Sequence, residues 1–184
     1  LTGGTLDING KSLANRIVVS GGIMTGTDNS SVGDVVVSKN FSMAGSLSVA
    51  SLSIDSGVTV SSANLTSRGN MTMGRGALLS TTGTLTLTGG TSLNLTALNL
   101  TRDDASIAVT GTLAVTGDSP VSINLGDDFM SNQISEGNYT ILSATGGLDL
   151  SQFEAGTSLD GTLWSEISDV YQFELALSDD RTSL

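Results

Sequence analysis

The chain has 184 residues with 18 acidic and 7 basic side chains, a formal net charge of -11, no His and no Cys. That charge opposes binding to phosphate backbones or anionic lipid. The absent residues remove disulfides, thiolate chemistry and the commonest general base and metal ligand. Aromatics make up only 4% of the chain, and 23 Gly stand against one Pro. A core must then be built in thin layers from Leu, Val, Ile, Ala and Met, without large rings to fill it. No run of about 18 apolar residues marks a membrane-spanning helix.

In chain order the dominant pattern is alternation of apolar residues with Thr, Ser, Asn or Asp. It begins at Leu6/Ile8 and recurs at Val35/Val37, Leu47/Val49, Leu52/Ile54, Val58/Val60 and Met71/Met73. It continues through Leu85/Leu87, Leu93/Leu95, Leu98/Leu100, Ile107/Val109, Leu113/Val115 and Val121/Ile123/Leu125. Period two predicts strands with one buried face, and outward Thr and Ser favour strand over helix. The predicted strands are short, roughly three to five residues, punctuated by Gly, Asn or Asp. Their starts lie closer together than the 8–12 residues usual in sandwiches. Two or three of them make one turn of about 20 residues, and stacking such turns buries the apolar positions. About eight or nine turns at 4.7–4.9 Å each would form a rod on the order of 40 Å long.

Internal repeats point the same way. Thr2-Gly-Gly-Thr-Leu-Asp-Ile-Asn-Gly10 resembles Thr82-Gly-Thr-Leu-Thr-Leu-Thr-Gly-Gly90 and Thr110-Gly-Thr-Leu-Ala-Val-Thr-Gly-Asp118, with a looser copy at Ala44-Gly-Ser-Leu-Ser-Val-Ala50. The shared unit is Gly-(Thr/Ser)-Leu-x-(Leu/Val/Ile). Gly supplies a corner and the alternating apolar residues point inward. Leu85, Leu87, Leu113 and Val115 are therefore predicted inward, and Thr112 and Thr116 outward. Uneven spacing of the copies predicts loop insertions between turns.

The last third differs. Residues 126–137 read as loop, 138–144 as a strand, 146–154 as a strand or short helical turn, and 171–177 as a clean strand. Trp164, both Tyr and three of the four Phe lie after residue 125. One domain spans 1–184, with regular short-strand turns over 1–125 and less regular, aromatic-richer turns over 126–184. The two ends, Leu1-Thr-Gly-Gly4 and Arg181-Thr-Ser-Leu184, read as cut from the middle of a repeat, so the chain is expected to be a fragment of a longer one.

The segments Gly83-Thr-Leu-Thr-Leu-Thr-Gly-Gly90, Gly111-Thr-Leu-Ala-Val-Thr-Gly117 and Gly137-Asn-Tyr-Thr-Ile-Leu-Ser-Ala144 make the chain resemble the autotransporter-associated β-strand repeat proteins and, more broadly, bacterial autotransporter passenger regions. The resemblance implies an all-β, right-handed parallel β-helix (β-solenoid). It also implies export across the inner membrane and display at the cell surface, anchored at the outer membrane through other parts of the parent chain. It carries no catalytic residues.

The candidate chemistry is sparse. The acidic pairs Asp103-Asp104, Asp127-Asp128 and Asp179-Asp180 have the charge for Ca²⁺ or acid/base work. Solvated turns are the ordinary reading of such pairs, and no EF-hand or calcium-nonapeptide spacing is present. Among Lys11, Arg16, Lys39, Arg68, Arg75, Arg102 and Arg181, only Arg68 and Arg75 are spaced to share a face with a turn acid, as a polysaccharide lyase would need. Asn-x-Ser/Thr sequons begin at Asn29, Asn40, Asn64, Asn70, Asn94, Asn99 and Asn138. Asn repeated at corners also suits stacked side-chain ladders. Trp164 and Tyr171 are candidates for stacking on a sugar ring, though aromatics in alternating text usually belong to a core. No catalytic, cofactor-binding or metal residue is assigned. The expectation is a non-enzymatic structural or adhesive module, with host-surface glycans or proteins, or copies of itself, as partners. The alternatives are a carbohydrate-active β-helix and a surface-layer or fibre subunit.

Overall fold

A computed structural model describes residues 1–96, 104–126, 137–158 and 174–184. The protein is all-β, and its strands join in one curled parallel sheet, half-barrel in outline. Numbered along the chain, they fall into three columns of parallel pairs. The first column stacks β1 (Thr2–Asp7), β4 (Gly21–Gly26), the start of β6 (Phe41–Ile54), the start of β7 (Thr59–Ser67), β9 (Leu78–Thr81), β12 (Ile107–Val109) and β15 (Leu142–Ala144). The second stacks β2 (Ser12–Leu13), the start of β5 (Ser31–Val37), the middle of β6, the end of β7, β10 (Thr84–Thr88) and β13 (Thr112–Thr116). The third stacks β3 (Ile17–Val19), the ends of β5 and β6, β8 (Met71–Met73), β11 (Ser92–Leu95), β14 (Val121–Leu125) and β16 (Phe153–Ser158).

The chain thus passes the first column seven times among the described residues, rather than eight or nine. Early passes are short: bonded side chains in adjacent passes lie 17 to 20 residues apart, as at Asp34–Ser51 and Asn64–Thr84. Later passes lengthen, with 29 residues from Thr81 to Thr110 and 33 from Asn124 to Thr157. These are the insertions that the uneven repeat spacing predicts.

Alternation sets the core. In the second column Leu47, Leu65, Leu85 and Leu113 lie in register, all buried. In the third, Ile17, Val35, Leu52, Met71, Leu93 and Ile123 do the same. In the first, Phe41, Val60, Leu79, Ile107 and Leu142 form a buried file. Leu85 and Leu87 are inward as predicted, while Val115, on the last pass of its column, is only partly buried against the core. Thr112 and Thr116 are exposed.

Several expectations need correction. Strands of three to five residues hold for most elements, but β6 runs 14 residues and β7 nine. Small residues stand at their bends, Gly45-Ser46, Ala50-Ser51 and Ala63, and Gly45 leaves extended geometry at φ +74. The Gly-Thr-Leu unit at residues 4–6 lies in the first column, whereas the copies at 45–47, 83–85 and 111–113 stack in the second. The second column also contains Ala63-Asn-Leu-Thr-Ser67, which the repeat text does not mark. Of the strand expected over 138–144, β15 covers only Leu142–Ala144. Residues 146–154 split between a 3-10 turn at Leu150–Gln152 and the start of β16. The clean strand expected over 171–177 is not formed in its described part, 174–177; residues 171–173, Trp164 and Leu98/Leu100 lie outside the described residues. The final residues do not continue the parallel pattern. They fold back antiparallel on β15, with a Ser143–Ser183 bridge, Ala144 N donating to Thr182 O at 2.8 Å, and Leu184 buried.

The corner between the first and second columns depends on close approach. A Cβ on Gly111 would overlap the Gly83 carbonyl, the group that accepts from Thr112 N at 3.2 Å. At Gly45 the backbone also has φ +74, which disfavours any side chain. Leu85→Ala should cost about 2–5 kcal/mol, since it opens a cavity between Leu65 and Leu113. Gly111→Ala should cost more than about 1 kcal/mol by forcing two passes apart. Thr112→Ala should fall within about 0.5 kcal/mol. Denaturation midpoints decide it: equal effects from Leu85→Ala and Thr112→Ala would contradict the register.

Candidate functional site

Among the described residues the acidic pairs assemble no centre. Asp103 and the Asp127-Asp128 pair lie outside the described residues, and Asp104 is exposed. Asp180 is a turn former. Its Oδ1 accepts from Ser178 Oγ at 2.7 Å, Thr182 Oγ1 at 2.8 Å and Thr182 N at 3.1 Å. The Ser178 hydroxyl first, and Thr182 after it, hold this carboxyl below the usual carboxylate range. Three other described acids bond a neighbouring pass: Asp7 accepts from Thr25 Oγ1 at 3.1 Å, Asp34 from Ser51 Oγ at 2.7 Å and Glu154 from Ser122 Oγ at 2.6 Å. Among the described residues no three acidic side chains gather closely enough to hold a metal ion.

The basic residues do not converge either. Arg68 Nη2 donates to Val32 O at 3.2 Å, reaching across two passes to tie a corner. Arg75 sits exposed in a turn whose carbonyl accepts from Gly57 N at 2.8 Å. Lys11, Arg16, Lys39 and Arg181 are exposed at separate corners, while Arg102, Trp164 and Tyr171 lie outside the described residues.

The asparagines, by contrast, share one geometry. Asn40 Oδ1 accepts from Thr59 N at 2.9 Å, Asn64 Oδ1 from Thr84 N at 2.9 Å, Asn70 Oδ1 from Ser92 N at 3.0 Å and Asn124 Oδ1 from Thr157 N at 2.9 Å. Asn40, Asn64 and Asn70 take a backbone N–H of the next pass at a corner, whereas Asn124 does so inside β14, where its register with β16 shifts. Asn124 Nδ2 also donates to Asn94 Oδ1 at 3.0 Å, and Asn94 Nδ2 to Thr72 Oγ1 at 3.3 Å. This side-chain ladder runs mid-strand through Asn94 and Asn124, whereas the corner asparagines Asn40, Asn64 and Asn70 accept from backbone N–H groups and do not bond one another. An outward Asn on a strand also places an outward Ser or Thr two residues on, which is the sequon spacing. Asn29 and Asn138 are exposed, and Asn99 lies outside the described residues.

The feature that sequence reasoning missed is a groove of about 590 Å³ over the second column. Ser31, Ser48, Thr66 and Thr86, in register over four passes, line it together with Ser46, Asn64 and Thr84. The Thr27-Asp-Asn-Ser30 turn lines it as well. The signal lay in the outward positions of Ser46/Ser48, Asn64/Thr66 and Thr84/Thr86, which reads as plain surface until the passes are stacked.

Two outcomes follow. Asn64→Ala should cost about 1 kcal/mol or more, since it strands Thr84 N, whereas Asn138→Ala, at an exposed position, should be near neutral in a thermal melt. The Asp180 turn should loosen in acid. Its carboxyl sits below the unfolded value of 3.8, so the ionised form favours the folded turn above that pH, and this contribution disappears as pH falls through the lowered value. The protection factors of the Thr182 and Ala144 amides, taken against the intrinsic exchange rate at each pH, should fall there, and at neutral pH in Asp180→Ala.

No family model, no curated protein and no solved structure matches the chain.

Proposed function

We propose that this chain is a non-enzymatic structural or adhesive module of a secreted, surface-displayed bacterial protein, folded as a right-handed parallel β-helix that serves as a stalk or binding surface. The observation that carries the reading is the three-column register, in which inward residues stack in mostly apolar files from pass to pass and several corners are tied to the next pass by backbone and Asn bonds. Such stacking makes stability a sum of neighbour terms, so length can grow by adding passes, which suits a stalk. Right-handed coiling follows the strong preference of crossovers between parallel strands. The Gly-Thr-Leu units and the resemblance to autotransporter passengers support display at the cell surface. A polar outer face free of a basic patch suits partners such as host-surface glycans or proteins, or neighbouring copies.

A duplication experiment tests the stalk. A second copy of residues 42–60 placed before Ser61 adds one 19-residue pass, because Ser42, Ser61 and Ser80 are register partners. The lengthened chain should fold cooperatively, keep its β-rich circular dichroism and melt at or above the parent temperature. An unfolded or aggregated product would defeat the reading. A screen of polysaccharides and glycosides should show no turnover. Cleavage that disappears when an Asp pair is changed to Ala would overturn the non-enzymatic assignment.

A further inference from the structure

The groove over the second column has a held wall and a regular floor. Ser30, only 2% exposed, fixes the wall. Its Oγ accepts from Gly10 N at 2.8 Å and Thr27 N at 2.9 Å, and its carbonyl accepts from Ser48 N at 2.9 Å. The Thr27–Ser30 turn is thereby bonded to the passes on both sides of it. Parallel strands about 4.8 Å apart set the floor hydroxyls in a row at that interval. Hydroxyls at the edges of this column are spent on the protein: Thr88 Oγ1 donates to Ser67 O at 3.2 Å, Thr82 Oγ1 to Ser62 O at 3.4 Å and Thr116 Oγ1 to Leu87 O at 3.4 Å. The hydroxyls of Ser48, Thr66, Thr84 and Thr86 have no such bond and face the groove.

The lining chemistry narrows the ligand. Each hydroxyl donates once and accepts twice, so the complement carries donors and acceptors repeated along its length. Asp28 is the one charged lining residue, and with the net charge of -11 it disfavours a polyanion. An extended peptide would need a free strand edge or apolar pockets. The floor segments of β5, β6, β7 and β10 are paired on both sides, and Leu47 is the only large apolar residue in the lining. Ser31 Oγ, at the first pass of the row, donates to Ser12 Oγ at 2.9 Å. We propose that this groove is a binding site for a neutral polysaccharide laid along the stacking direction across Ser48, Thr66 and Thr86. The assignment rests on the adhesive reading above and names its ligand class. With no aromatic ring in the lining to stack on a sugar, single-site affinity is weak, on the order of 1 mM, and many copies on a surface would raise it by avidity.

Amide chemical shifts of the whole chain would be followed during titration with cellohexaose, laminarihexaose and mannohexaose, and with a galacturonate oligomer as the anionic probe. At least one neutral hexasaccharide should shift residues 27–31, 46–48, 64–66 and 84–86 saturably, and the galacturonate should not. The double variant Thr66→Val, Thr86→Val keeps side-chain shape while removing both hydroxyls. It should weaken binding about tenfold or more with an unchanged melting temperature. No saturable shift from any neutral probe up to ~10 mM, equal binding of the galacturonate, or full binding by the double variant would each overturn the proposal. Failure here leaves the duplication result standing, whereas failure of the duplication removes the register on which the groove depends.

Discussion

Everything in this molecule depends on parallel stacking in register. When a strand lies beside the segment one pass earlier, its backbone groups pair with that segment, and each side chain sits over its counterpart. A slip of one residue would send every inward side chain outward. The register therefore imposes chemistry on whole files. Leu47, Leu65, Leu85 and Leu113 share a fate because they share a file. Corners obey the same constraint, since backbones from adjacent passes come too close for a Cβ at Gly111.

Polar groups are handled by the same geometry. Strand ends leave N–H groups unpaired at each corner, and a buried orphan is costly. Asn40, Asn64 and Asn70 meet this need at corners, and Asn124 meets it where β16 shifts register, with one side-chain oxygen each. Inside the first column Ser62 and Thr81 interrupt an otherwise apolar file that includes Met43 and Val109. Their hydroxyls bond each other at 2.8 Å, so neither is left unsatisfied. A hydroxyl at one of these two positions requires one at the other, which helps specify which passes lie together.

The surface inherits the order of the core. Because inward residues alternate with outward ones, a regular interior obliges a regular exterior, and Ser and Thr fall into rows without further instruction. Most rows lie on open faces. Over the second column the Ser30-bonded turn adds a wall, and a row becomes a groove. An adhesive surface can arise in this way from the repeat itself, with the residues that stabilise each pass also spacing the contacts.

Local sequence determined much of this protein. Period-two alternation at Leu85/Leu87, Leu93/Leu95 and Val121/Ile123/Leu125 identified buried strand faces, because strand geometry sends successive side chains to opposite sides. The unequal spacing of Gly-Thr-Leu copies foretold passes of unequal length, whereas the asparagine side-chain ladder lies mid-strand at Asn94 and Asn124 and not at the corners where the sequence suggested it. Tertiary structure alone decided which segment stacks on which. The same Gly-Thr-Leu text lies in the first column at residues 4–6 and in the second at 83–85, since a three-residue unit does not encode its place in a pass. Ala63-Asn-Leu-Thr-Ser67 joins the second column without the unit at all, because pairing on both sides suffices to hold it. The groove was invisible for the same reason: its register partners Ser31, Ser48, Thr66 and Thr86 lie 17 to 20 residues apart along the chain, and only stacking makes them neighbours.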